Sequence, residues 1–263
     1  MLLKNKVIIL SGVGPGLGIK MAIESAREGA KAVVLAARTA SKLDEAEQGI
    51  RALGTDCQVL KVPTDITDRA QCQRLVKQTI DRFGRIDGLL NSAFMHGNFP
   101  EAVDTADLQT WRSVFDTNLF GTMNLTQEVV PQMKKQSSGA IAMINTVAAR
   151  RPFPGEAGYA ASKGALAVAV KYLAKELGQH GIRVNSVFMG WMWGAPVQAY
   201  IKRSAAEYGV PEEQLIAPIA ASTALGRIPT DDDCAKAALF LISDYANAVT
   251  GASLDANGGE YMG

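Results

Sequence analysis

Short apolar runs alternate with longer stretches of helical periodicity along almost the whole of this chain. Residues 6–10, 32–36, 57–62, 86–90, 140–145 and 183–188 are brief, rich in Val, Ile, Leu and Ala, and predict buried strands. A shorter one is expected around Ser253 and Leu254. Helical patterns fall between them: one through Met21, Ala22 and Ala26, then 41–53, 68–83, 108–135, 157–179 and 232–243, with the 108–135 helix expected to break near Pro131. Strands separated by helices imply a parallel sheet with helical crossovers covering both faces. No linker, repeat or low-complexity segment interrupts the pattern. The prediction is one doubly wound α/β domain, mostly parallel and Rossmann-type, spanning residues 1–263.

Sheets of this kind bind ligands beyond the carboxyl ends of their strands. The segments placed there are the turn after residue 10, then 37–39, 64–66, 91–100, 146–155 and 189–218. The last, about thirty residues, is too long for a plain connector. It carries Trp191, Met192, Trp193, Tyr200 and Tyr208. It reads either as a lid over an apolar substrate or as a helical excursion packed on the body or on a neighbouring subunit.

The first strand runs into Ser11-Gly12-Val13-Gly14-Pro15-Gly16-Leu17-Gly18, and a helix follows. Strand, glycine turn and helix are the context a dinucleotide-binding motif needs. Glycines let the backbone approach a diphosphate, and the helix start offers free N–H groups and partial positive charge. No Gly-Lys-Ser/Thr ending follows, which argues against a nucleoside triphosphatase.

Composition narrows the class further. With 263 residues, 48% hydrophobic, the chain can bury a sizeable core. The 27 basic and 26 acidic residues are dispersed, so neither nucleic acid nor a charged partner is indicated. Cys57, Cys72 and Cys234 are odd in number and irregularly spaced, supporting neither a disulfide framework nor a zinc site, and read as buried free thiols. No signal peptide and no membrane-spanning apolar stretch is apparent, so a soluble cytoplasmic protein is expected.

Tyr159 and Lys163, in Gly-Tyr-Ala-Ala-Ser-Lys-Gly, share one helix face about a turn apart. Such a pair is often no more than a surface pair. An ammonium beside a phenol would also favour the phenolate and suit it to proton exchange.

The glycine turn, Asn91-Ser92-Ala93, Asn118 in a helix, and Tyr159-Ala-Ala-Ser-Lys163 fall in the order and spacing of the short-chain dehydrogenase/reductase family. The chain resembles that family throughout, as far as Thr250-Gly251 and Asn257-Gly258-Gly259. The resemblance implies Tyr159 as general acid/base, Lys163 lowering its pKa and binding the nicotinamide ribose, and Asn118 holding a helix kink and a relay water. Thr146 stands where the family usually has Ser. It keeps the hydroxyl, but its methyl stiffens χ1 and takes space beside the reacting oxygen. Met189-Gly190 replaces the common Pro-Gly, and Gly194 stands where a Thr often contacts the cofactor.

By the same resemblance the cofactor would meet Gly12, Gly14, Gly16, Leu17, Gly18, Arg38, Thr39, Asp65, Ile66, Asn91, Ser92, Ala93, Gly190 and Met192, besides Tyr159 and Lys163. An acidic residue at the end of the second strand would select NAD. Here Ala37 removes that repulsion and Arg38 can pair with a 2′-phosphate, with Thr39 and Lys42 adding contacts, so NADP(H) is favoured over NAD(H). No metal is needed.

The implied reaction is hydride transfer between a nicotinamide and a secondary alcohol or ketone. Phe94, Met95, His96, Phe99, Phe153, Trp191, Met192 and Trp193 suggest a roomy apolar pocket, such as a hydroxysteroid would fill, with His96, Phe153, Trp191 and Trp193 as substrate contacts. Arg150 and Arg151 read either as solvated or as facing a substrate carboxylate. Three residues separate Tyr159 and Lys163, against six in the family's enoyl reductases, which disfavours carbon–carbon double-bond reduction. A 3-oxoacyl thioester reductase, a dihydrodiol dehydrogenase and a nucleotide-sensing binding protein without turnover are the alternatives. Family members form dimers or tetramers through the helix beginning at Ala157 and the long helix before it, and a homodimer or homotetramer is expected.

Overall fold

The computed structural model describes residues 1–263. Seven strands, β1 (Val7–Ser11), β2 (Ala32–Ala37), β3 (Gln58–Pro63), β4 (Gly88–Asn91), β5 (Gly139–Thr146), β6 (Ile182–Met189) and β7 (Ser253–Ala256), form one sheet in the order β3-β2-β1-β4-β5-β6-β7. Every neighbouring pair is parallel. The order runs outward from β1 in one direction and then resumes at β4 in the other. Two loops therefore diverge between β1 and β4 at the carboxyl edge and leave a crevice there.

Nine helices cover the sheet: α1 (Leu17–Arg27), α2 (Ala40–Arg51), α3 (Arg69–Phe83), α4 (Leu108–Phe115), α5 (Thr122–Gln136), α6 (Ala157–Leu177), α7 (Ala195–Tyr208), α8 (Glu212–Ala221) and α9 (Asp231–Ile242). β1, β4 and most of β5 are buried throughout, as their unbroken apolar runs require in a sheet covered on both sides. Alternate strand residues feed two cores. Ile8, Leu10, Val33 and Leu35 pack with α1, α2 and α9, while Val7, Ile9, Val34 and Leu89 pack with α3, α5 and α6.

Two element expectations are corrected. The 108–135 helix does not break at Pro131, which lies inside α5. Pro131 is exposed, and the carbonyl its missing N–H releases belongs to exposed Gln127, where water can take the bond. The interruption comes earlier, in a π-helical turn at Asp116–Gly121 that contains Asn118. The second correction concerns 189–218. Instead of an irregular stretch it holds α7 and α8, with Pro196 in the first turn of α7 and left-handed Gly209 closing it.

The free cysteines follow their environment. Cys72 and Cys234 are buried, while Cys57 is only partly so. Burial pushes the Cys57 and Cys72 thiols up to about 11 and Cys234 to about 12, keeping them protonated and unreactive. No helix is long and apolar enough to cross a membrane.

Candidate active site

The glycine turn owes its sequence to close packing. Gly12 sits at φ 81°, and a Cβ there would stand 2.2 Å from the Ala93 nitrogen. The turn after β1 is thus pressed against Ser92-Ala93 after β4, which brings two of the anticipated cofactor segments together. Gly16 is also left-handed, at φ 85°, and a Cβ on Gly18 would fall 2.3 Å from the Gly12 oxygen. These three positions require glycine. Gly14 does not: no heavy atom lies within 4 Å of its would-be Cβ and its φ is ordinary. The resulting cradle of bare backbone at the start of α1 fits a diphosphate.

At the end of β2, Ala37 is followed by exposed Arg38. The acids of α2 are taken by other cations: Asp44 and Glu47 meet Lys61 at 2.6 Å each, and Glu45 meets Lys42 at 3.1 Å. Arg38 is left without an acidic partner, whereas Lys42, expected as a helper, is engaged. Asp65 folds its carboxylate onto its own loop, accepting from the Thr67 N–H (2.9 Å) and hydroxyl (2.7 Å). The Asn91 side chain turns into the core, donating to the Thr126 hydroxyl at 3.1 Å. Its contribution to a cleft would come from its backbone.

Tyr159, Lys163, Thr146 and Asn118 converge from three elements. Thr146 ends β5, and its hydroxyl accepts from the Ala148 N–H at 3.3 Å, which leaves the hydroxyl proton to be given away. The Thr146 side chain lies beside Tyr159 and favours the ionised form of its phenol. Asn118 is fully buried in the π turn. It accepts from the Met95 N–H at 2.7 Å and donates to the Met95 carbonyl and the Ser162 hydroxyl, both at 2.9 Å. Ser162 in turn donates to the Tyr159 carbonyl at 2.7 Å. Asn118 thereby ties the loop after β4 to the helix that carries Tyr159. The helix kink anticipated at Asn118 is the π turn, and both amide protons of Asn118 are committed to protein acceptors.

The electrostatics differ from expectation. The lowering of the Tyr159 phenol by Lys163 is not found. Burial raises the phenol, the Glu156 carboxylate raises it further, and the neighbouring Thr146 side chain opposes them. The Lys163 ammonium is drawn instead to the Ile144 carbonyl, to which it donates at 2.8 Å. Burial alone brings it from 10.5 down to about 8.

The remaining candidates line the mouth. The His96 ring stacks on Tyr159 with centroids 4.6 Å apart and meets Phe99 edge-on at 5.3 Å. Its Nε2 lies 3.1 Å from Glu156 Oε2. Phe94 and Phe153 are exposed at the same edge, with Phe94 6.1 Å from Tyr159. Trp191 packs toward Tyr200 of α7 at 6.0 Å. The Trp193 backbone N–H donates to the Pro229 carbonyl at 2.7 Å, in a bridge that ties the segment after β6 to the approach to α9. Arg150 pairs with Asp255 and lies over Phe188, so it serves the fold. Arg151 approaches Phe153 and donates to the Glu260 carbonyl at 3.4 Å.

A crevice at the β1/β4 divergence, a glycine cradle and a Tyr–Lys pair on α6 all meet at one sheet edge. A family model described as enoyl-(acyl carrier protein) reductase matches residues 12–260. The chain is a short-chain dehydrogenase/reductase. As a member of that family it is 31% identical to the 3-oxoacyl-[acyl-carrier-protein] reductase FabG of Staphylococcus aureus over 98% of its own length and 99% of the relative's. It is 30% identical to the levodione reductase of Leifsonia aquatica, covering 97% of this chain and 94% of that one. A crystal structure of levodione reductase superposes with a TM-score of 0.89 at 28% identity, over 98% of both chains. The NADPH complex of a variant actinorhodin polyketide ketoreductase does so at 0.87 and 26%, over 97% of both.

Two carboxylates of this short-chain dehydrogenase/reductase were not foreseen. Glu156 reaches His96 and acts on the Tyr159 phenol. Glu260, buried near the end of the chain, accepts from the Trp191 N–H at 3.3 Å and would collide with any Cβ on Gly190. Burial raises its carboxyl above the usual range. A Glu three residues before the Tyr is a weak sequence signal, and one seventy residues past Gly190 is none.

Proposed function

We propose that this oxidoreductase interconverts a ketone and a secondary alcohol with NADP(H), acting on a bulky apolar substrate such as a hydroxysteroid. The observation that carries the reading is the convergence of Tyr159, Thr146 and buried Lys163 at the edge that also bears the glycine cradle. Asn118 is tied there to the Tyr159 helix through Ser162, and His96 is stacked on the ring. The nicotinamide, when bound, supplies or accepts the hydride. The chain's part is to hold the carbonyl oxygen between the Tyr159 and Thr146 hydroxyls, where developing negative charge meets two fixed donors. Tyr159 gives that oxygen a proton in reduction and removes it in oxidation. Lys163 would grip the ribose hydroxyls, Arg38 the 2′-phosphate, and α7 with Trp191 would close over the substrate as a lid.

Reduction of a carbonyl rather than of a carbon–carbon double bond is supported by the Tyr–Lys spacing and by the likeness to two named ketoreductases. The likeness to the S. aureus enzyme favours a second reading, a 3-oxoacyl thioester substrate. Exposed Val168 and Tyr172 on α6 support association into a dimer or tetramer.

The test is purified enzyme with NADPH or NADH and a panel of bulky cyclic ketones and 3-oxoacyl thioesters. NADPH consumption with at least one panel member is expected, with kcat/KM higher for NADPH than for NADH. A preference for NADH would overturn the cofactor assignment. Arg38→Ala should raise the KM for NADPH about tenfold and leave that for NADH within about twofold, since only one of the two carries the phosphate. Thr146 has its own pair of variants. Thr146→Ser should stay within about tenfold of the parent, whereas Thr146→Val, which keeps the shape and loses the donor, should lower kcat about a hundredfold. Equal activity of the Val variant would remove Thr146 from the mechanism.

A further inference from the structure

The cradle holds one group that the chemistry above does not use. Asp231 is the first residue of α9, 4% exposed, and packs between the two glycine segments that face the cofactor crevice. A Cβ on Gly194 would stand 1.7 Å from Asp231 Oδ2 and 2.2 Å from its Cγ, so the carboxyl group occupies the space a side chain at 194 would fill. A Cβ on Gly16, in the diphosphate turn itself, would lie 2.9 Å from the same oxygen.

Nothing nearby neutralises this carboxylate. It accepts no side-chain or backbone hydrogen bond outside the regular helix pattern and forms no ion pair. The nearest cation is Lys20 on α1, which is bound to Asp232 at 3.0 Å. Asp233 on the same turn is held by Arg227 at 3.2 Å. The turn after β1 and the segment 190–196 contribute no charge. The start of α9 offers Asp231 a favourable dipole, which keeps an acid tolerable there. Burial nevertheless raises its carboxyl above the usual range.

We propose that Asp231 is an affinity-setting residue of the dinucleotide site, its carboxylate opposing the bound diphosphate so that cofactor binds less tightly and leaves faster. The inference rests on the reading that the glycine cradle receives NADP(H). Two like charges across a partly desolvated crevice repel strongly enough to change affinity about tenfold. Weakened binding benefits an enzyme whose turnover waits on release of spent cofactor.

Asp231→Asn keeps the shape and removes the charge. Titration of the purified protein by NADPH fluorescence, with no substrate present, should show Kd about tenfold lower in the variant at pH 7.5. NADH should tighten by the same factor, because the diphosphate is common to both, and adenosine should not change. Stopped-flow displacement should show slower NADP release from the variant. Asp231→Ser provides the same comparison should the Asn variant fail to fold. Binding that is unchanged or weaker in a folded variant overturns the proposal, since Asp231 would then be inert or a hydrogen-bond acceptor for the cofactor. If neither parent nor variant binds NADPH or NADH, the dinucleotide reading falls, and this one with it. Tightening that extends equally to adenosine would overturn it too, by tracing the effect to the fold.

Discussion

Replacing Tyr159 with Phe is expected to lower kcat for ketone reduction by about a thousandfold while NADPH Kd stays within about twofold. General acid catalysis by a positioned group contributes about 10²–10⁴-fold, and of the Tyr159 and Thr146 hydroxyls the phenol is the one that ionises more readily. The surroundings of the phenol set the pH behaviour. Burial and Glu156 raise it, so it keeps its proton throughout the neutral range and is suited to give it to a carbonyl oxygen. Reduction by the parent should therefore show no alkaline loss from Tyr159 up to about pH 9. Oxidation needs the phenolate and should climb steadily with pH over the same span. Steady-state rates in both directions, with cofactor binding measured separately, check all of this. Turnover by Tyr159→Phe comparable to the parent would mean that the proton comes from elsewhere, with His96, stacked on the ring, the next group to remove.

How much of this was legible in the sequence depends on the range of the interaction concerned. The seven-stranded sheet follows from apolar run length, and each predicted strand lies within about two residues of the observed one. The central strands are uniformly apolar because they are buried on both faces, whereas the edge strands β3 and β7 are only partly buried. The glycine turn was legible for the same local reason, although Gly14 shows that a motif's glycines are not all under the same constraint. What failed was non-local. Pro131 is a local breaker whose released carbonyl happens to face solvent, while the real interruption at 116–121 answers to Asn118, which clamps Met95 and Ser162 from other elements. The phenol's surroundings were misjudged likewise. Spacing placed Lys163 beside Tyr159, but a lysine side chain is long enough to choose its acceptor, and it chose the Ile144 carbonyl on β5. Asp231 and Glu260 come to the cleft only through tertiary folding, so no spacing rule marks them, while Glu156, at the start of the Tyr159 helix, is marked only weakly. Gly194 is the instructive case: it stands where a Thr often contacts the cofactor, and the structure supplies its counterpart in Asp231, which leaves no room there for anything larger.

Lys163→Met is expected to be more stable than the parent and nearly inactive. The amino group is buried and brought from 10.5 down to about 8, a difference that corresponds to about 3 kcal/mol between its protonation states. Below about pH 8 both folded and unfolded chains carry the proton, and the folded protein bears the full penalty of a buried ammonium. Between about 8 and 10.5 the unfolded chain binds a proton that the folded one has released, so this group's contribution to stability rises with pH. At pH 7 the Met variant escapes the penalty altogether. It forfeits the bond to the Ile144 carbonyl, worth about 1–2 kcal/mol, and the net gain should be about 1–2 kcal/mol. In a chain of this size that corresponds to about 2–4 °C in Tm. The gain should shrink toward pH 10 as the parent sheds its charge. Activity should fall by about a hundredfold or more, with weaker NADPH binding, because the ribose grip is lost. Melting curves of both proteins at pH 7 and pH 9.5 decide the matter. A variant less stable than the parent at pH 7 would show that Lys163 holds the fold together, whereas a more stable and inactive one would show a buried charge kept for function at the expense of the fold.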